Sequence, residues 1–445
     1  MNKLRDNYWV NSGVFAISQR LSIPLFGLAS FLVLIRTLSE EELGICVIFL
    51  SITTILEVAR NGLLKAAIVK SYQENKEHRP DLLYASFTLN LVYTLITTSL
   101  LLLLSSVIAA FYNSTELIQL FWWYTISAIC FCLFTHAEYW YQADMKFKNV
   151  FILYFVKQGS FLLCISINAI IVNTPILLNN LVIYQIVSLV LALLSSIGFY
   201  IDHFKLRVLL SRPRLLELWS FGRFGFFTNV SNSALTSADH LLLGGLLSKT
   251  SVAIYNAAAR ITNVFIIPSV AIADILYPKA VQGNIKQGTE KVKDLYEKAV
   301  GATLLPMIPV FVFLQLFPAF TIKLLAGERY IDAVPVLRIS SISIFILPFL
   351  KQYGTVVNTL NKPQLNFYFV LALAVVNIGL NYIFISKFGL LGAATATLLS
   401  YCIGLIGCQI ILKKLANIST LKVLSSSFIF FKMSLNFFSK GIMKT

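Results

Sequence analysis

Two apolar runs near the middle of the chain constrain its fold more than any other feature. Trp219–Leu247 and Val252–Pro278 are separated by a short polar joint. Each run exceeds the roughly 20 residues that an α-helix needs to cross a bilayer. Across the whole chain 57% of the residues are hydrophobic and 13% are charged, whereas soluble domains carry about 25% charged residues. The sequence therefore predicts an all-α polytopic membrane protein.

The other apolar runs, counted in the same way, predict about twelve transmembrane helices. We place these spans at about 10–38, 43–69, 82–112, 117–142, 150–173, 179–201, 219–247, 252–278, 299–322, 334–359, 366–386 and 389–412.

A weak internal repeat divides the spans into two sets of six. Shifting the chain by a constant 209 positions places Gly222 on Gly13 and Ser248 on Ser39. Such repeats are typical of transporters. We therefore expect an N-lobe over 1–208 with the first six helices and a C-lobe over 209–412 with the other six. A basic cytoplasmic tail over 413–445 is expected to form an amphipathic helix on the membrane surface.

Lysine and arginine are distributed unevenly between alternate connections of the predicted spans. One set of connections holds twenty-three of them and the other set holds five. Because basic connections stay in the cytoplasm, both termini are predicted to be cytoplasmic. The asymmetry accounts for most of the formal net charge of +16. It therefore removes the support for nucleic-acid binding and indicates contact with anionic membrane lipids instead.

Charged residues inside the predicted spans carry the chemical information, because a charge in lipid is costly and normally faces a protein interior or a cavity. Apart from Arg36, which is counted with the connection after the first span, eight of these residues are cations: Arg20, Arg60, Lys65, Lys157, Arg223, Arg260, Arg338 and Lys351. Four are anions: Glu57, Glu138, Asp239 and Asp274. The excess of cations favours an anionic substrate group, and a diphosphate suits the planar guanidinium with its several donors.

Five cations are the predicted substrate-binding residues of a cationic cavity: Arg20, Arg60, Arg260, Lys351 and Arg223. Arg20 lies deep in the first span with no opposite charge within a helical turn, which favours a cavity role. Two alternatives remain open. Lys65, Lys157 and Arg223 lie near span ends and can instead snorkel to the headgroups. Arg60 follows Glu57 by three residues, so the two can neutralise each other on one helix face.

Three carboxylates, Asp239, Asp274 and Glu57, are the predicted ion-coupling residues, because intramembrane carboxylates often mark ion paths. Pro24 lies in the middle of the first span beside Arg20 and is predicted to be a hinge, since proline removes a backbone hydrogen bond. The sequence has no phosphate-cradling glycine loop with its lysine, no HExxH and no paired CxxC. We therefore expect no catalytic residue, no metal site and no cofactor.

Five segments together resemble bacterial polysaccharide repeat-unit (O-antigen-type) flippases of the multidrug/oligosaccharidyl-lipid/polysaccharide superfamily. These segments are Phe31–Gly44, Asp239–Arg260, Gly327–Ala333, Asn361–Gln364 and Phe388–Thr397. The resemblance runs over nearly the whole chain. It implies a MATE-like bundle of two six-helix lobes, related by a pseudo-two-fold axis and enclosing a central cationic cavity.

The resemblance also implies an activity and a location. The expected substrate is an undecaprenyl-diphosphate-linked oligosaccharide, moved to the outer leaflet of the bacterial plasma membrane for the assembly of surface polysaccharide. A proton or sodium gradient is expected to drive alternating access. Polysaccharide polymerase and chain-length proteins are the expected protein partners.

Two other functions compete with this interpretation. A proton- or sodium-coupled multidrug antiporter of the same superfamily is the main alternative, although cationic drugs favour an acidic cavity. A membrane glycosyltransferase, polymerase or ligase needs acid and base groups and usually a sizeable outer loop. The short outer connections of this sequence argue against such an enzyme.

Overall fold

The computed structural model describes residues 2–74, 79–172, 176–203, 212–270, 272–273, 276, 280 and 287–418. Within the first helix, the side chains of residues 2–14, 16, 17 and 20 lie outside this description. So do Asp274 and the tail beyond Ile418. The expectations for the Arg20 side chain, for Asp274 and for most of the tail therefore fall outside the described residues.

Helices make up the described chain, and no strand occurs within it. They are α1 (Asn2–Thr37), α2 (Glu40–Glu74), α3 (Arg79–Phe111), α4 (Glu116–Ala143), α5 (Phe147–Ile167), α6 (Leu178–Ser195), α7 (Ile197–His203), α8 (Arg212–Leu246), α9 (Lys249–Val264), α10 (Thr289–Leu316), α11 (Pro318–Leu325), α12 (Val334–Ser341), α13 (Leu347–Thr359) and α14 (Pro363–Ala416). Among the described residues, eight helical segments are long and apolar enough to cross a membrane. The all-α polytopic class is thus confirmed, and the number of twelve spans stays a prediction.

Two compact units divide the chain, and each is described by itself. Unit 1 contains the chain up to Ser237 together with Ser248–Ala253. Unit 2 contains Ala238–Leu247 and the chain from Ile254 onward. The division passes through α8, and the lobe boundary at 208/209 stays a prediction.

Short breaks interrupt several of the predicted spans. A gap at Ser196 separates α6 from α7 inside the sixth span, and a 3₁₀ turn over Ile342–Phe345 separates α12 from α13 inside the tenth. Pro318 and Pro348 lie in the first turns of α11 and α13, where the missing N–H of proline has no intrahelical partner to lose. The eleventh and twelfth spans both lie in α14, which breaks at Gly389 with φ +59° and ψ −136°.

Hydrogen bonds at two helix starts follow the 209-residue repeat. Ser39 Oγ accepts the Glu42 N–H at 3.2 Å, and Glu42 Oε2 accepts the Ser39 N–H at 2.9 Å. This reciprocal arrangement is a capping box at the start of α2. At the equivalent positions of the repeat, Ser248 Oγ accepts the Ser251 N–H at 3.1 Å at the start of α9. The repeat therefore preserves a helix start with its cap.

The surface pattern of α3 is inverted relative to a helix of a soluble protein. Leu103 is 76% exposed and Val107 is 65% exposed. Asn90 is fully buried, and its side-chain amide donates to Cys132 O at 3.0 Å and to Thr135 Oγ1 at 3.2 Å. Apolar side chains outside and hydrogen-bonded polar side chains inside are typical of a helix in a lipid environment.

Backbone contact between α2 and the first half of α8 holds part of unit 1 together. A Cβ added at Gly222 would lie 1.9 Å from Leu63 O, and one added at Gly62 would lie 2.3 Å from Gly225 O. Asn229 Nδ2 also donates to Val58 O at 3.0 Å. Small residues allow membrane helices to approach this closely.

We therefore expect Gly222→Ala to destabilise the protein. The added methyl group overpacks the contact and should cost about 1–3 kcal/mol, seen as a lower midpoint of heat-induced aggregation in detergent. Gly379→Ala on α14 is the matched control, since nothing lies within 4 Å of its added Cβ. Equal midpoints for the two variants would contradict this account of the packing.

Candidate substrate and ion sites

Arg60 on α2 is a deeply buried cation of unit 1, with 1% of its surface exposed. Its guanidinium carbon lies 5.6 Å from the centroid of the Tyr93 ring and 5.4 Å from that of the Phe131 ring. These ring contacts offset part of the lost hydration of the charge. Within the described part of the chain, its Nε and Nη1 have no hydrogen-bond partner. A buried donor left open in this way requires an explanation, such as an ion or ligand that it binds.

Lys157 on α5 contacts the same aromatic ring as Arg60. Its Nζ lies 4.5 Å from the Phe131 centroid and 5.1 Å from the Phe134 centroid. The ammonium thus packs against aromatic rings of α4, and snorkelling to the headgroups stays the alternative prediction. Glu57 lies one helical turn before Arg60, is partly buried, and interacts electrostatically with Lys157 and with Arg60.

Glu138 on α4 is a buried carboxylate whose two oxygens both accept hydrogen bonds. Its oxygens accept hydrogen bonds from Lys65 Nζ at 3.3 Å, Gln142 Nε2 at 2.9 Å and the Tyr154 hydroxyl at 2.9 Å. The charge of Lys65 neutralises that of Glu138. The pair contributes to packing in unit 1 and leaves Arg60 without this carboxylate.

Asp239 on α8 is the centre of a second polar site, which lies wholly in unit 2. It is 6% exposed. One carboxylate oxygen accepts hydrogen bonds from Thr397 Oγ1 at 2.7 Å and Asn381 Nδ2 at 2.8 Å. The other accepts a short hydrogen bond from the Tyr255 hydroxyl. These three donors are neutral, so they orient the carboxylate without removing its charge.

Two amides on α14 extend the Asp239 site. Asn377 and Asn381 are fully buried, and Asn377 Nδ2 donates to Thr397 Oγ1 at 3.2 Å and Ser400 Oγ at 3.3 Å. Asn381 Oδ1 has no hydrogen-bond partner in the described part of the chain. The carboxylate therefore lies beside a hydroxyl and an amide oxygen without a hydrogen-bond partner. Such a group of oxygen atoms can bind a proton or a small cation.

The sequence analysis did not predict which residues hydrogen-bond to Asp239, although the sequence contained a signal for two of them. Asn377 and Asn381 stand four residues apart in an otherwise apolar span, so they share one helix face. A polar pair on one face of a membrane helix is a reason to expect a buried partner. The sequence alone did not identify Asp239 on α8 as that partner.

Three further predicted substrate-binding residues have exposed side chains. Arg223 lies on α8 in unit 1, and its guanidinium carbon is 5.2 Å from the ring of its neighbour Phe224. Arg260 on α9 and Lys351 on α13 belong to unit 2. Their roles in substrate binding stay predictions.

The remaining predicted residues are Pro24, Arg20 and Asp274. Pro24 lies inside α1, which continues through it to Thr37, and its hinge role stays a prediction. The backbone of Arg20 belongs to α1, but its side chain is outside the described set, as is Asp274. Glu57, Arg60 and Arg223 thus belong to unit 1, while Asp239 belongs to unit 2.

Comparison of the sequence with protein families gives a direct match. The family model described as polysaccharide biosynthesis protein matches residues 33–335, which is more than half of the chain. A putative O-antigen transporter from Shigella flexneri is 24% identical over 407 residues, covering 88% of this chain and 94% of that protein. A probable low-salt glycan biosynthesis flippase, Agl15, from Haloferax volcanii is 24% identical over 187 residues. That match spans 42% of this chain and only 40% of the relative.

Solved structures of two kinds of transporter have the same fold as this chain. The lipid II flippase MurJ in an inward closed conformation aligns with a TM-score of 0.78 at 16% identity, covering 93% of this chain and 90% of that one. An inward-facing multidrug resistance MATE family transporter aligns with a TM-score of 0.75 at 17% identity, covering 91% and 100%. At this identity the likeness establishes a MATE-like fold.

The resemblance found in the sequence is thereby confirmed, and so is the prediction of a multi-pass membrane protein that is not an enzyme. The chain belongs to the polysaccharide biosynthesis protein family and has a MATE-like fold.

Proposed function

We propose that this transporter is a flippase for an undecaprenyl-diphosphate-linked oligosaccharide repeat unit. It moves the lipid from the cytoplasmic to the outer leaflet of the bacterial plasma membrane by ion-coupled alternating access. The observation that carries the proposal is the buried Arg60 guanidinium with its open donors, in a chain of the polysaccharide biosynthesis family. The product is then available to polysaccharide polymerase and chain-length proteins.

A diphosphate suits Arg60 for physical reasons. Guanidinium and phosphate oxygens form charge-assisted hydrogen bonds, often two in parallel. A diphosphate inside the protein has lost its hydration, so it needs fixed positive charge to compensate. The predicted residues Arg20, Arg260, Lys351 and Arg223 are proposed to act with Arg60 as the lipid crosses.

Ion coupling is assigned to Asp239, with Asp274 and Glu57 as further candidates. Asp239 is buried in unit 2 with neutral donors around it, so binding a proton or sodium ion removes an uncompensated charge. A change of charge at this site alters which conformation is favoured, and a gradient of the ion then gives transport a direction. The proton and the sodium ion remain alternatives.

A multidrug antiporter is the second candidate function, because a solved MATE transporter has the same fold. The relatives named for glycan transport and the family of the chain favour the flippase. The charges favour it as well, since Arg60 is a poor partner for a cationic drug.

The lipid-linked sugar pool of a strain that lacks the gene tests the proposal. We expect single undecaprenyl-diphosphate-linked repeat units to accumulate while surface polysaccharide is lost, because synthesis continues after translocation stops. Extraction and mass spectrometry measure the pool and identify the sugars. An unchanged pool and unchanged surface glycan, with altered resistance to cationic drugs, would replace the flippase with the antiporter.

Asp239→Asn tests the coupling site separately. The substitution removes the titratable charge while nearly preserving the shape, so gradient-driven transport should fall by about tenfold. Complementation of surface polysaccharide and transport into vesicles with and without an imposed gradient measure the effect. Asp332→Asn, at an exposed carboxylate, is the matched control. Normal gradient-dependent transport by Asp239→Asn would rule out this assignment.

A further inference from the structure

The two oxygens of the Asp239 carboxylate have different hydrogen-bond partners. Oδ1 accepts hydrogen bonds from Thr397 Oγ1 at 2.7 Å and from Asn381 Nδ2 at 2.8 Å. Among the described residues, Oδ2 accepts one hydrogen bond, which comes from the Tyr255 hydroxyl on α9. All four residues belong to unit 2. A cation that binds to Asp239 therefore meets two donors at Oδ1 and one at Oδ2.

The two donors at Oδ1 are also bound to Asn377. The Asn381 amide nitrogen donates a further hydrogen bond to Asn377 O at 3.1 Å, and an amide N–H2 group cannot become an acceptor. Thr397 Oγ1 accepts a hydrogen bond from Asn377 Nδ2 at 3.2 Å while it donates to Oδ1. Turning the amide away breaks a second hydrogen bond, and the hydrogen bond that the threonine accepts fixes its hydroxyl. Oδ1 is therefore the less accessible oxygen of the carboxylate.

The donor at Oδ2 is a hydroxyl, whose direction can reverse. A phenol oxygen carries one hydrogen and two lone pairs, so rotation about its C–O bond changes it from a donor into an acceptor. The Tyr255 ring itself is held in place: the residue is 4% exposed, and its ring centroid lies 5.7 Å from that of His240. Asn256 Nδ2 in turn lies 3.2 Å from His240 Nε2. The hydroxyl hydrogen can thus move while the ring and the carboxylate stay in place.

We propose that Tyr255 is a positioning residue that controls the access of the coupling cation to Asp239. In the empty site its hydroxyl donates to Oδ2. In the loaded site the hydrogen has turned away, and the cation, a proton or a sodium ion, lies between Oδ2 and the phenol oxygen. This inference rests on the proposed function, because it takes Asp239 as the ion-coupling residue.

The hydrogen bond from Tyr255 makes the bound cation easier to release. A hydrogen bond to an ionised carboxylate is stronger than one between neutral groups, so the phenol stabilises the empty site more than the loaded one. A transport site must bind its ion well enough to load and weakly enough to unload. Asp239 supplies the charge that attracts the cation, and Tyr255 lowers the affinity to a value that permits release.

Transport by the full-length protein in proteoliposomes, measured as a function of ion concentration, tests the inference. Sodium is varied at constant pH in one series, and pH is varied with choline in place of sodium in the other. We expect Tyr255→Phe to reach half-maximal transport at about a tenfold lower concentration of the ion that drives the parent protein, because the lost hydrogen bond is stronger in the empty site. Its kcat should fall, because the ion leaves more slowly.

Tyr382→Phe is the matched control, since it removes the hydroxyl of a tyrosine on α14 that is 58% exposed. It should behave as the parent protein does. In the pH series, Tyr401 on α14 and His240 on α8 are the other titratable side chains near the carboxylate. Both are the same in the parent protein, in Tyr255→Phe and in the control, so a difference between these proteins reports the Tyr255 hydroxyl.

Replacing Tyr255 by 3-fluorotyrosine should shift the ion dependence in the opposite direction. The fluorinated phenol is more acidic, so it donates a stronger hydrogen bond to Oδ2, and half-maximal transport should need a higher ion concentration than in the parent protein. The replacement nearly preserves the shape of the side chain. It therefore decides the question if the thermal unfolding midpoint shows that Tyr255→Phe has damaged the fold.

Infrared spectra of the purified protein give a readout that a merely structural role would not move. The difference between ion-free and ion-saturated protein contains carboxylate bands, and the bands that vanish in Asp239→Asn belong to Asp239. These bands should shift in Tyr255→Phe, because Oδ2 has lost its hydrogen bond. They should keep their positions in Tyr382→Phe.

The outcomes separate the inference from the proposed function. If neither a sodium gradient nor a pH gradient drives transport by the parent protein, the proposed ion coupling is wrong and the inference falls with it. If a gradient drives the parent protein and Asp239→Asn abolishes this dependence, but Tyr255→Phe needs the same ion concentration as the parent protein, the inference alone is wrong. A higher concentration for Tyr255→Phe, or a shift in one direction for both replacements of Tyr255, also overturns it.

Discussion

The cost of placing charge inside an apolar bundle governs the interior of this protein. Removing an ion from water costs several kcal/mol even after the surroundings relax, so each intramembrane charge needs a partner or a use. Lys65 and Glu138 show the first solution, with an ion pair completed by Gln142 and Tyr154. Arg60 and Asp239 do not follow it. Arg60 contacts aromatic rings, and Asp239 accepts hydrogen bonds from neutral donors, so neither forms an ion pair among the described residues.

The two sites are complementary in sign and belong to different units. Unit 1 presents positive charge at Arg60 and Lys157, whereas unit 2 presents negative charge at Asp239. A transporter that exchanges an anionic lipid against a cation needs one site of each sign. Because each site lies within one packed unit, binding at either can change the internal energy of that unit. This arrangement offers a physical basis for the coupling that we propose between the ion and the lipid.

Much of the fold could be predicted because lipid simplifies the sequence pattern. The long apolar runs and the helix starts at Ser39 and Ser248 follow from local sequence. The interruptions within spans could not be predicted in the same way. The 3₁₀ turn at Ile342–Phe345 lies in an apolar run, so hydropathy does not distinguish it from continuous helix. The break at Gly389, by contrast, coincides with the predicted boundary between the eleventh and twelfth spans.

The candidate sites, like the fold, could be predicted only in part from the sequence. Residue type identified Arg60 and Asp239, because a charge in a span is unusual whatever its neighbours are. The partners required three dimensions: Thr397 and Asn381 lie more than 140 positions from Asp239 in sequence. Lys157 was ambiguous, since only the position of Phe131 on another helix distinguishes a ring-bound ammonium from one that reaches the headgroups.

Translocation by the purified protein is the most direct test of the central claim. Proteoliposomes would carry a fluorescent polyprenyl-diphosphate sugar, and a membrane-impermeant quencher would report the leaflet it occupies. The account predicts that the protein moves the lipid between leaflets under an imposed ion gradient, and that Arg60→Ala at matched reconstitution does not. Movement no faster than in protein-free vesicles, or equally fast with Arg60→Ala, would contradict it.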